Sequence, residues 1–238
     1  APLFPGAALP DPAAGNIVQI ESTAVSTYQQ FEVSLSHYSK HLFLYFSYDL
    51  SKELNEADDV LSLPSNNYDL RADLGPSLQD SRHRLFSILD LDLVKGLSLG
   101  AVFNFSSATP YNITTGQDNN GDTIINDRPP GIARNSARGS AHTDLSMRFG
   151  WTIGMGKETS TARRSVRNIQ AGGPDAFGGL SSSSTDKRYN LQLYVQAYNI
   201  INRANLINFV GVQSSPFFGQ ATAALPGRRI ETGLKFNF

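Results

Sequence analysis

Side chains of an extended strand point alternately to opposite faces, so a run in which every second residue is apolar specifies a strand with one dry face and one wet face. Three runs in this chain follow that rule closely. In 144–153, Leu145, Met147, Phe149, Trp151 and Ile153 alternate with Asp144, Ser146, Arg148, Gly150 and Thr152. In 189–198, Tyr189, Leu191, Leu193, Val195 and Ala197 oppose Asn190, Gln192, Tyr194, Gln196 and Tyr198. In 230–238, Ile230, Thr232, Leu234, Phe236 and Phe238 oppose Glu231, Gly233, Lys235 and Asn237.

The same rule places strands at 28–38, 41–50, 83–94 and 97–105. That makes about seven strands and an all-β chain. Two of these four are irregular: Phe86 and Ile88 interrupt the polar face of 83–94, and Phe43 and Tyr45 make 41–50 apolar on both faces. No apolar run reaches the roughly 18 residues that a membrane-crossing helix requires, the longest compact one being Leu42 to Phe46.

Alternation is shared by soluble sandwiches and membrane barrels, since both need one apolar face. Connection length separates them. The turns at Ser39-Lys40 and Lys95-Gly96 are tight, whereas 51–82, 106–141 and 202–227 are long and emerge at the opposite strand ends. Short periplasmic turns and long extracellular loops are the pattern of outer-membrane barrels. The segment 156–187 is the exception: it is expected on the periplasmic side yet is long, and its Gly- and Ser-rich composition reads as mobile. Trp151, Tyr189 and Phe238 fall where a periplasmic aromatic girdle is expected. Alternation turns Asp144, Arg148, Gln192, Gln196, Glu231 and Lys235 toward the lumen, as a polar wall.

Other features bear on chemistry. A net charge of −1 leaves no electrostatic footprint for nucleic acid, and the absence of Cys removes disulfides, thiolate metal sites and cysteine nucleophiles. Asp118, Asn120 and Asp122, with Asn126 or Asp127 to close the site, place oxygens at alternate positions as a calcium loop does. The EF-hand order is not kept, because Gly121 comes early and the twelfth position is Pro129. Asx-turns explain the same residues. Gly96-Leu97-Ser98-Leu99-Gly100 spells a nucleophile-elbow pattern, but it opens a strand after a tight turn instead of joining a strand to a helix. Gly154-Met155-Gly156-Lys157 lacks phosphate-loop spacing, and His37, His41, His83 and His142 lack metal-ligand spacing. No enzyme is expected. The opening Ala1-Pro2-Leu3-Phe4-Pro5 has no signal-peptide pattern, so a leader has been removed or the chain is part of a longer one.

Several stretches together carry a family likeness: Phe217-Phe218-Gly219-Gln220-Ala221-Thr222, Pro226 to Phe238, Asn199-Ile200-Ile201-Asn202-Arg203-Ala204-Asn205, Gly121 to Pro129, and Arg134-Asn135-Ser136. With these, the chain from about residue 97 resembles TonB-dependent outer-membrane receptors, in particular the Oar-like branch that carries a carboxypeptidase-regulatory-like domain. The resemblance implies that residues 1–238 are the C-terminal part of a barrel of roughly 22 strands. The plug and the N-terminal domain have no counterpart here. It also implies partners: outer-membrane lipid, the barrel-assembly machinery, the receptor's own plug and TonB, and an extracellular ligand of unidentified class. Ile230, Leu234, Phe236 and Phe238 resemble the terminal sorting signal that the assembly machinery reads. Two other readings stay open: a small standalone barrel or adhesin with an eighth strand from 12–26, and a soluble β-sandwich with carbohydrate- or calcium-binding loops.

Overall fold

The computed structural model describes residues 19–66, 69–94, 96–158 and 187–238. Seven long or medium strands form one antiparallel meander: β1 (Ser26–Tyr38), β2 (Leu42–Asn55), β4 (His83–Asp92), β5 (Leu97–Ser106), β8 (His142–Glu158), β9 (Lys187–Tyr198) and β12 (Arg229–Asn237), in that spatial order. β3 (Gly75–Pro76) adds a short pairing to the end of β2. Two small pairs sit in the long connections, β6 (Pro110–Tyr111) with β7 (Ala137–Arg138), and β10 (Leu206–Phe209) with β11 (Ala221–Ala224).

All seven expected strands are present, and the two irregular ones are explained by register. Tyr45 pairs with Ile88 and Ile88 with Val102, which puts three apolar side chains in one row of the otherwise polar face. Phe43, Phe86 and Tyr198 pack on this cluster, whose Ile88 and Val102 are nearly inaccessible. The interruption of alternation is thus a local apolar island on the polar side. β2 runs five residues past its expected end, because β1 pairs with all five and β3 with the last two.

Burial across the sheet is inverted relative to a soluble protein. One row of the polar face reads Asp90, Gly100, Arg148, Gln196, Glu231, and the adjacent row of the other face reads Leu91, Leu99, Phe149, Val195, Thr232. On the polar face Asp90 is 1% and Gln192 4% exposed, while on the apolar face Phe149 is 46% and Leu234 64% exposed. Among the described residues the extensive contacts between elements are all between paired strands, so no second layer covers either face. Polar side chains become buried without a covering layer only if the sheet curls toward them and they converge. The exposed apolar face then requires hydrocarbon in place of water, at roughly 25 cal/mol per Å². A soluble sandwich, which would pair this face with a second sheet, is therefore excluded.

Both tight turns lie at one end of the meander, and the three long connections at the other. On the apolar face near the turn end, Tyr189 stacks on Phe236 at 6.3 Å and Phe236 on Phe238 at 6.2 Å. Trp151 pairs with Leu97 and Leu193 on the same face, as the girdle expectation required. The segment expected to be mobile falls mainly on 159–186, and the 12–26 strand of a small closed barrel falls partly on 1–18; both stretches lie outside the described residues.

Candidate loop platform and polar wall

The long connections, 56–82, 107–141 and 199–228, are built as one polar assembly. Three arginines of the second loop pair with three aspartates of the first. Arg128 meets Asp73 at 2.6 Å, Arg134 meets Asp58 at 2.5 Å, and Arg138 pairs with Asp80. Each guanidinium also donates to first-loop backbone, Arg128 to Ala72 O, Arg134 to Asp73 O and Arg138 to Asp80 O, and Arg134 donates to Asn55 O at the end of β2 as well. A planar five-donor group suits this bridging role, because one end holds the carboxylate while the rest donates to nearby backbone carbonyls.

Arg134 and Asn135 form the centre. Arg134 additionally reaches the side-chain oxygen of Asn55, and the Asn135 amide donates to Asp58 Oδ2 and to Pro76 O, both at 2.9 Å. Asn135 has φ 52°, a left-handed conformation that Asn adopts more readily than most residues. Gly75 faces this knot: a Cβ there would collide with the carbonyl of Arg134, so only glycine allows the approach. Burial disfavours ionisation of Asp58, but donation from Leu78 N–H, from Asn135 and from Asn55, with the charge of Arg134, outweighs it and holds the carboxyl below its ordinary value. A lowered folded-state pKa stabilises above the unfolded value of about 3.9 and ceases to do so as pH falls through the lower folded value. The platform is therefore expected to keep its hydrogen-exchange protection from pH 8 to about 5 and to lose it progressively below about 4. Protection that declines already between pH 7 and 5 would contradict this origin.

The third loop joins the second through backbone. Thr114 N–H donates to Gly211 O at 2.9 Å, Gln213 N–H to Thr114 O at 2.8 Å, and Tyr111 stacks on Phe209 at 5.6 Å. Near the tips, Asn126 Nδ2 donates to Leu63 O and Pro64 O, and Asn120 Nδ2 to Ser65 O.

The calcium candidates sit inside this loop as turn-formers. Asp118 accepts the N–H groups of Gly121, Asp122 and Thr123; Asp122 accepts Ile124 N–H; Asp127 accepts Asn119 and Asn120 N–H. Asn120 Oδ1 accepts Asp122 N–H, and the Asn126 amide is turned to the first loop. Among the described residues no group of three or more His, Asp or Glu is placed to hold a metal ion. These backbone bonds are those of Asx-turns. Ser98 of the elbow-like motif is fully buried, its hydroxyl donating to Gly150 O.

The six residues expected on the polar wall share one face. Arg148, Gln196 and Glu231 lie side by side, Gln192 pairs with Thr152 and Lys235, and Asp144 pairs with Asn104. Gln196 donates to Glu231 at 2.7 Å and to Tyr198 at 2.8 Å, Ser146 donates to Asp144, and Arg229 pairs with Glu231 at 2.9 Å. The Arg148 guanidinium lies 3.9 Å from the Tyr194 ring centroid. Ile230, Leu234 and Phe236 stand on the opposite, apolar face of β12, and Phe238 follows its end.

The six aspartate and arginine partners of the loop platform are not among the expected site residues. The available signal was charge: 56–82 holds six carboxylates against two arginines, and 107–141 holds three arginines within eleven residues.

Comparison with known proteins agrees with this geometry. A search of curated proteins returns no match. The family described as outer membrane beta barrel domain matches residues 2–231, nearly the whole chain. The exposed apolar face and buried polar face of the sheet fit a barrel in the bacterial outer membrane, and this chain belongs to the outer membrane beta barrel domain family.

Proposed function

We propose that the chain is the C-terminal barrel portion of a TonB-dependent, Oar-like outer-membrane receptor that takes a ligand across the outer membrane. The observation that carries this reading is strand parity. Six successive antiparallel pairings leave β1 and β12 running in the same direction, so these edges cannot complete an antiparallel barrel with each other. Further strands must cover them, since an open edge is not tolerated in hydrocarbon. A barrel of roughly 22 strands with a plugged lumen supplies both the missing strands and a polar body to fill the curled face.

In that setting lipid covers the apolar face, and Asp144, Arg148, Gln192, Gln196, Glu231 and Lys235 face the plug. TonB supplies energy from the inner membrane, and the three long loops form the outer surface that meets the ligand. The chain performs no catalysis in this role. Ile230, Leu234, Phe236 and Phe238 present an apolar, aromatic-ended edge to the barrel-assembly machinery. Deleting Phe238 from the full-length protein is expected to lower its outer-membrane level severalfold at unchanged synthesis, measured by membrane fractionation. Undiminished insertion would remove the assembly role. The receptor reading itself requires a native species several times heavier than 25.9 kDa.

A further inference from the structure

The apolar face carries an open groove of about 540 Å³ where β8, β9 and β12 meet. Two neighbouring rows of the ladder line it, Phe149–Val195–Thr232 and Trp151–Leu193–Leu234, and all six side chains are exposed. Thr232 is the short residue between Ile230 and Leu234 on its strand, so it leaves a trough that Phe149 and Trp151 bound on the β8 side. The medium this face requires is hydrocarbon, so the groove is shaped to take an apolar chain.

The apolar strip runs on from the groove toward the tight-turn, periplasmic end. Its next rows are Ile153–Leu191–Phe236 and Met155–Tyr189, and Phe236 stacks between Tyr189 and Phe238. From Val195 to Tyr189 is six residues, about 20 Å of strand. At the tilt of roughly 35–45° usual for barrel strands this rises about 15 Å, half of the roughly 30 Å hydrocarbon core and so the depth of one leaflet.

Two cations stand where the strip ends. The Arg188 guanidinium lies 5.3 Å from the Tyr189 ring centroid. Lys157 follows Gly156, where a Cβ would touch the same ring and the stem of Arg188. Arg188 and Lys157 are both exposed, and the acidic residue beside them, Glu158, has a third basic residue, Lys187, as its ladder partner. Tyrosine and basic side chains at the rim of an apolar band sit at headgroup level, where basic groups attract anionic lipid.

We propose that this strip of the barrel wall seats one anionic glycerophospholipid of the periplasmic leaflet, an acyl chain lying in the groove and the phosphate meeting Arg188 and Lys157. The site needs only the barrel wall in the outer membrane; it does not rest on the receptor reading.

The test titrates the delipidated full-length protein in detergent with dipalmitoyl phosphatidylglycerol or dipalmitoyl phosphatidylcholine and counts bound lipid by native mass spectrometry, with unboiled gels to verify that each variant is folded. Wild type is expected to bind its first phosphatidylglycerol at least about fivefold more tightly than phosphatidylcholine. The pair Arg188→Gln, Lys157→Gln should abolish that preference. Thr232→Leu, which fills the groove and leaves both cations in place, should weaken phosphatidylglycerol binding by about the same factor, and Val195→Phe serves as a second filling variant should Thr232→Leu disturb the pairing of β12. Equal binding of the two lipids by wild type, a preference that survives loss of both cations, or unchanged binding with the groove filled would overturn the proposal. A light native species would remove the receptor reading and leave each of these outcomes as it stands.

Discussion

Arg134→Met is expected to release the second long loop from the first while leaving the seven-stranded sheet intact. The substitution keeps much of the aliphatic volume and removes every donor. Asp58, the Asn55 carbonyl and side chain, and the Asp73 carbonyl then lose their common partner in a nearly closed environment. Breaking a buried pair by deleting one member costs about 3–5 kcal/mol, since the surviving charge stays desolvated. Amide protection in the first and second loops should therefore fall by about two to three and a half orders of magnitude, read by hydrogen exchange on the full-length protein. β4 and β5 should be unchanged. Asp58→Asn should produce a smaller loss of the same kind, and the double variant should cost less than the two single effects added, because both act on one contact. Full protection of the loops in Arg134→Met would mean that the arginine pairs decorate a platform held by other means.

Gly233→Val is expected to unseat the last strand. Gly233 pairs with Tyr194, whose ring lies across the glycine, so that any Cβ would overlap the ring and its hydroxyl. Tyr194 is itself paired with Gly150 on its other side and covered by Arg148. The ring thus reaches from β9 across β12 on the polar face, beneath the Arg148 guanidinium of β8, and Gly233 leaves room for it. Forcing a branched side chain into a filled site commonly costs about 1–3 kcal/mol, and here it pushes directly on the edge strand that must pair during assembly. The expected result is loss of the folded, heat-resistant form on unboiled gels. Combining Gly233→Val with Tyr194→Ala should restore part of it, since the obstacle is removed. No recovery in the double variant would show that the glycine matters for backbone reasons alone.

The sheet was legible because most of its strands repeat a period of two, and that period survives translation into burial without any long-range information. Phe149 and Arg148 needed only their neighbours to declare opposite faces. The apolar island of Ile88, Val102 and Tyr45 was visible merely as a broken pattern, since its meaning depends on register between strands that are far apart in sequence. The loop platform was hidden for the same reason. Arg134 and Asp58 are 76 residues apart, and no periodicity links them. The carboxylate excess of the first loop and the run of arginines in the second pointed to a union without naming the pairs. The oxygen-rich run from Asp118 to Asp127 shows the opposite limit: turn formation and cation binding favour the same residues, and which backbone groups these side chains hold becomes visible only in the folded turn.

The most direct test of the receptor reading is an immunoblot of native outer membranes, boiled and unboiled, with an antibody against residues 215–238. A plugged barrel completed by further strands predicts a heat-modifiable band several times heavier than 25.9 kDa. A band near 25.9 kDa that changes mobility on boiling would contradict it and would mean that these seven strands are closed in some other way.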